Sequence, residues 1–172
     1  QYTVFASTDR SQGHRGLSAF VVPRETSGVS TGKKEDKMGQ RASETSDVLF
    51  EDVRIPEPNR IGAEGEGFKI AMRTIDYARA GGAAMAVGVG RASLEFVREE
   101  LAREGVEIRY DAPRYALGAI ERDVMEMETE LQAARLLTWR AAAMMSRGRP
   151  NSLEASMAKA KAGLAVTRIT QK

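Results

Sequence analysis

Asp76 and Arg79 are two opposite charges three positions apart in the run IDYARAGGAAMAVGVG, which is otherwise almost free of charge. On a helix they share a side and can pair with each other, a contact worth only about 0.2 to 0.5 kcal/mol. A guanidinium in apolar surroundings is costly unless an anion meets it, and a thioester or phosphate-bearing ligand would serve as well as a carboxylate. Residue chemistry alone leaves both readings open. Other candidates carry less. Glu126, Glu128 and Glu130 read as a solvated helix face, because a carboxylate metal cluster needs histidines at helical spacing. The single histidine, His14, lies in the Gly-rich turn DRSQGHRG and reads as a solvated loop residue; with no cysteine in the chain, one copy cannot assemble a zinc site. Gly62 to Gly67 has the spacing of a phosphate-binding loop, yet Phe68 stands where the lysine belongs and Lys69 comes one place late. Gly88-Val89-Gly90 lacks a third glycine and sits in a helical pattern, not after a strand.

Composition narrows the class further. With 172 residues, 42% of them hydrophobic, a packed core is within reach. No apolar run approaches a membrane span, and QYTVFASTDR has neither a basic nor an apolar leader region, so the expectation is a cytoplasmic chain with no membrane span. Lack of cysteine fits a reducing compartment. The 26 basic and 24 acidic residues are mixed along the chain, which makes a solvated surface and excludes a dedicated nucleic-acid stripe. The absence of an initiator Met and a helical pattern that runs into AVTRITQK suggest a portion of a longer polypeptide.

The elements that must position Asp76 and Arg79 are of two kinds. Tyr2 to Thr8 and Leu17 to Val22 are β-branched and aromatic and flank a polar turn, which predicts a hairpin with a long loop. Val29 to Glu35 is a weaker strand; Asp47 to Val53 is stronger, with burial on both faces of its centre, and Pro56 and Pro58 stop the sheet. After Ile61 the composition shifts to helix formers. Gly65-Glu66-Gly67 opens a helix with Phe68, Ile70, Ala71 and Ile75 on one side, and the small-residue segment Ala83 to Ala92 predicts deep burial. A second helix is expected from Pro113, with Leu117, Ile120, Val124, Met127, Leu131, Ala134, Thr138, Ala141 and Met145 as its seam and the methionines as core filler. Gly148, Arg149 and Pro150 end it; Asn151 or Ser152 caps the last helix, with Glu154 completing the cap. Long helices joined by short turns predict an antiparallel up-and-down bundle, commonly of four. The fold class is therefore α+β: an antiparallel sheet portion over residues 1–61, then an incomplete helical bundle over 62–172.

The order of motifs makes a specific resemblance. GLSAFVVP, MGQRASET, FEDVRIP, the GEGF helix start, the Asp76-x-x-Arg79 pair and KAKAG follow one another as in the acyl-CoA dehydrogenase family, and the resemblance covers essentially the whole chain. It implies the end of that family's middle β-domain followed by the first helices of its C-terminal bundle. It also implies the family's chemistry. A glutamate base removes the α-proton of an acyl-CoA thioester, the β-hydride goes to the flavin of FAD, and the electrons usually leave to an electron-transfer flavoprotein. By the match, Asp76 contacts the pantetheine arm, Arg79 positions the substrate or the base, and Ile75 lines the same channel.

Three departures qualify what the resemblance implies. The base lies in a later segment in most members, and in a minority at the place of Ala78, which cannot abstract a proton; this chain carries no base. The flavin-contacting strand that usually carries Trp-x-Thr is not in the sequence. The segment that reaches the FAD of a neighbouring subunit reads Arg103-Glu104-Gly105-Val106-Glu107-Ile108, with Tyr115 near the place of a glutamine, so Arg103 is the one cofactor-binding candidate. A dimer or tetramer is implied, homomeric or heteromeric. A non-catalytic partner subunit, an acyl-CoA oxidase and a flavin monooxygenase on the same scaffold are the alternative readings.

Overall fold

A computed structural model describes all 172 residues. Strand β1 (Tyr2–Ser7) pairs antiparallel with β2 (Leu17–Val22), Tyr2 opposite Val22 and Ser7 opposite Leu17. Their connection winds into a 3-10 turn, Arg10–Gly16, started by the Asp9 carboxylate, which accepts from the Ser11 N–H at 2.9 Å and the Gln12 amide at 2.8 Å. A separate ribbon is made by β3 (Val29–Thr31) and β4 (Val48–Phe50), both shorter than the sequence pattern predicts. Burial on both faces of β4 is also not observed: Leu49 and Phe50, which point to opposite faces of the ribbon, are both exposed. β5 (Arg60–Ile61) returns to the free edge of β2, with Ala19 opposite Ile61. β2 is therefore central, and its Ser18, Ala19 and Val22 are buried.

The residues before the first helix are tied to this central strand. Ser18 Oγ accepts from the Gly65 N–H at 2.9 Å, and the Asn59 amide donates to the Val21 carbonyl at 2.9 Å. Helix α1 (Gly67–Arg103) then starts so close to β2 that a Cβ on Gly67 would lie 2.7 Å from the Ser18 carbonyl carbon. Only glycine permits that approach. The chain forms two compact units, Gln1–Met72 and Arg73–Lys172, with the boundary inside α1.

In the second unit, α2 (Ala119–Ser146) and α3 (Ser152–Gln171) join the remainder of α1. One core cluster is built almost wholly of alanine: Ala80 and Ala83 from α1, Ala134 and Ala141 from α2, and Ala155, Ala158, Ala162 and Ala165 from α3. A second uses larger residues, Leu94, Val124, Met127, Leu131 and Ile169. Small side chains let backbones approach closely at little burial per residue; the larger cluster contributes more apolar area. Four details differ from expectation. α2 starts at Ala119, because Arg114–Ala116 first forms a 3-10 turn and residues 104–118 make a long connection instead of a short turn. Ala83 is buried but Met85 and Val89 are more than half exposed, so the small-residue segment is covered on one side only. Met85 is accordingly surface, whereas Met127 is core. Asn151 stands at the N-cap position of α3, yet its amide donates to the Ala141 carbonyl at 3.0 Å, and Glu154 pairs with Arg140 at 3.3 Å instead of capping. No helix is long and apolar enough to cross a membrane, and no group of His, Cys, Asp and Glu could hold a metal ion.

Candidate functional site

Asp76 and Arg79 lie one turn apart on α1, just before its buried Ala80 and Ala83. The Arg79 Nη1 donates to Asp76 Oδ1 at 3.0 Å, so the helix-pair reading is realised. It does not exhaust either group. A guanidinium has five N–H donors and a carboxylate about four acceptor positions. Arg79 uses one donor on protein and its side chain is 37% exposed; the Asp76 side chain is 20% exposed. Ile75, beside them, is exposed to a similar degree as Arg79. The arrangement can present a cation, an acceptor and an apolar side chain to a ligand that has both polar and apolar parts.

The same Asp76 Oδ1 accepts a second hydrogen bond, from Ser152 Oγ at 2.9 Å. Sequence reasoning passed over this partner except as a capping candidate, because 76 residues separate the two. Its place is set by the α2–α3 corner. Gly148 takes φ +64, its N–H donates to the Met145 carbonyl, and the Arg149 N–H reaches back to Met144, each at 3.0 Å. This paired closure is the Schellman ending that a left-handed glycine permits. Buried Asn151 then fastens the corner to Ala141, and Ser152 begins α3 at Asp76.

Arg103, the cofactor candidate, ends α1 with its guanidinium shared between Glu100 and Glu99 of the same helix. Its side chain is largely exposed, and Tyr115 stands out almost fully into solvent. The connection between them is held elsewhere. Buried Glu121 accepts from Arg109 Nε at 2.8 Å and Nη2 at 2.7 Å, and from the Gly118 N–H at 2.7 Å. The Arg109 hydrogen bonds and then the Gly118 N–H pull its pKa down to about 2, against a smaller upward push from burial.

Glu126, Glu128 and Glu130 were expected to form a solvated face. Glu126 does, pairing with Lys172 at 3.0 Å; the other two are half-buried, Glu130 against Lys161 at 2.8 Å and Glu128 against Arg98 and Tyr110. Glu128 and Arg98 border a groove of about 800 Å³ between α1 and α2, floored by Ala84, Val87, Leu94 and Leu131. Arg135 stacks there over the Trp139 ring at 4.5 Å. His14, as expected, is exposed, with its ring tilted against Phe68.

Residues 65–172 match the family model described as acyl-CoA dehydrogenase, C-terminal domain. The chain is 45% identical to the short-chain specific acyl-CoA dehydrogenase, mitochondrial, of Rattus norvegicus over 97% of its own length and 40% of that protein's. It is 41% identical to the caffeyl-CoA reductase-Etf complex subunit CarC of Acetobacterium woodii, over 91% of this chain and 40% of that one. Among solved structures, butyryl-CoA dehydrogenase from Megasphaera elsdenii superposes with a TM-score of 0.88 at 38% identity, covering 99% of this chain and 44% of that one. The chain thus spans about two-fifths of the length of the relatives it matches.

Proposed function

Because this chain belongs to the acyl-CoA dehydrogenase family, we propose that it contributes the thioester-holding part of an FAD-dependent enzyme that introduces an α,β double bond into a short-chain acyl-CoA. The observation that carries the reading is the Asp76–Arg79 pair: a half-buried carboxylate and guanidinium with unused hydrogen-bonding capacity, beside apolar Ile75. Asp76 accepts from an amide of the pantetheine arm, Arg79 orients the thioester end by charge-assisted hydrogen bonding, and Ile75 packs against the acyl chain. Names of relatives supply the acyl class, short-chain and butyryl. The name of the Acetobacterium subunit supports an electron-transfer flavoprotein as redox partner.

The chemistry itself needs groups beyond these three. FAD, when bound, accepts the β-hydride. The one candidate in this chain for holding it, Arg103, is paired with Glu99 and Glu100 of its own helix. No base for the α-proton stands at Ala78, so proton abstraction belongs to a group outside this chain. What Asp76 and Arg79 contribute is orientation, which keeps the α- and β-carbons in a reactive pose.

The test is the visible absorption spectrum of the purified complete protein, followed by anaerobic addition of a series of acyl-CoA thioesters. Flavin bands that bleach with a short-chain thioester are the expected result. A colourless protein that gains flavin only when mixed with another subunit would overturn the catalytic reading in favour of a structural partner role.

A further inference from the structure

We propose that Ser152 is a positioning residue of the acyl-CoA site, its hydroxyl fixing the Asp76 carboxylate so that Oδ2 stays available to the pantetheine amide. The inference rests on the reading of Asp76 and Arg79 given above. It starts from the convergence of two donors on one oxygen: Arg79 Nη1 at 3.0 Å and Ser152 Oγ at 2.9 Å both meet Oδ1. A carboxylate rotates freely about its last bond unless something fixes it. Arg79 fixes it poorly, because it stands on the same helix, moves with Asp76 and has a long flexible stem. Ser152 is on a different helix and has a one-carbon side chain, so its hydroxyl acts as an external reference.

The reference is itself held. The left-handed Gly148 ending of α2 and the bond from buried Asn151 to Ala141 leave the first residue of α3 little freedom. Ser152 also brings the N-terminal end of a 20-residue helix to the carboxylate, and the partial positive charge there favours the ionised acceptor. Arg79 then keeps its other donors for the ligand. A hydroxyl that merely tied two helices together would give none of these a functional consequence.

Substitutions in the complete protein separate the two roles through steady-state kinetics. Ser152→Ala is expected to raise KM for the acyl-CoA by about two- to tenfold, the range for one hydrogen bond, with a smaller change in kcat. Ser152→Thr, which restores a hydroxyl, is expected to recover most of the loss. Ser152→Ala combined with Asp76→Asn is expected to be no worse than Asp76→Asn alone, since the hydroxyl acts only through the carboxylate. Unchanged KM in Ser152→Ala, or losses that add in the double variant, would overturn the proposal while leaving the Asp76–Arg79 site intact. If Asp76→Asn and Arg79→Ala both leave KM and kcat unaltered, the placement of substrate at the pair fails, and the role of Ser152 with it.

Discussion

Two ion pairs have different physical standing at the level of residues. Asp76 and Arg79 keep free hydrogen-bonding positions; the Glu121 carboxylate does not, because it is buried and its oxygens collect three N–H donors from Arg109 and one from Gly118. The consequence for Glu121 is a pKa of about 2 against an ordinary value of 4.5. A folded-state pKa below the unfolded one means stability that is fully present above pH 4.5 and is lost as the pH falls toward about 2. Replacing the carboxylate by an amide removes that proton linkage and leaves Arg109 short of a partner. Glu121→Gln is therefore expected to be less stable than the wild type at pH 7, with a flatter dependence of stability on pH between about 4.5 and 2. Denaturant unfolding at a series of pH values measures both. Parallel curves for the two proteins would show that the clamp contributes nothing to acid sensitivity.

Among the elements, α2 was the most legible in sequence and the small-residue segment of α1 the least. Of its expected seam, Val124, Met127, Leu131, Ala134, Thr138 and Ala141 step by three and four and are all buried, since this stretch of the helix turns one face to the core. Ile120 in the first turn, by contrast, is 52% exposed, and Met145 in the last is only partly covered. The run Ala83 to Ala92 carries no such contrast, because small residues pack equally well against a neighbour or against water, and the exposure of Met85 and Val89 could not be read from it. The start of α2 was missed for a related reason. Pro113 suits a first helical turn, but Glu121 places its cap on the Gly118 N–H and sets the helix start later. In the site, the Asp76–Arg79 pair followed from spacing, whereas Ser152 depended on a corner that only topology supplies. The alanine core makes its own prediction. Ala158 is fully buried against the cluster shared by all three helices, and Ala160, two positions on, faces solvent. Ala158→Leu is expected to cost about 1 to 3 kcal/mol through overpacking. Ala160→Leu, measured like Ala158→Leu in the 172 residues expressed by themselves, should stay within about 0.5 kcal/mol of the wild type. Equal melting temperatures for the two variants would mean that the cluster is loose enough to absorb a leucine.

For the whole molecule, the exposed apolar surface and the missing chemical groups lead to one expectation. Along α3, Leu153, Met157 and Leu164 stand exposed at positions that fall on one helical face, and on α2 Leu136 and Trp139 do the same. The groove between α1 and α2 adds an apolar floor open to solvent. Surface of this kind is uncommon on a protein that works as an isolated unit. The chain also spans about two-fifths of its relatives' length and has alanine, not a carboxylate, at position 78. The 172 residues expressed by themselves are therefore expected to bind an apolar fluorescent dye strongly and to show no acyl-CoA-dependent bleaching of added FAD. A longer protein containing them should bind little dye and bleach. Helical content by circular dichroism controls for folding, since a chain that retains the three helices yet binds dye does so through its native surface and not through unfolding. A 172-residue chain that is helical, free of bound dye and active toward a thioester would place both the base and the cover for these faces within the present sequence. That outcome would contradict the assignment of proton abstraction to groups outside it.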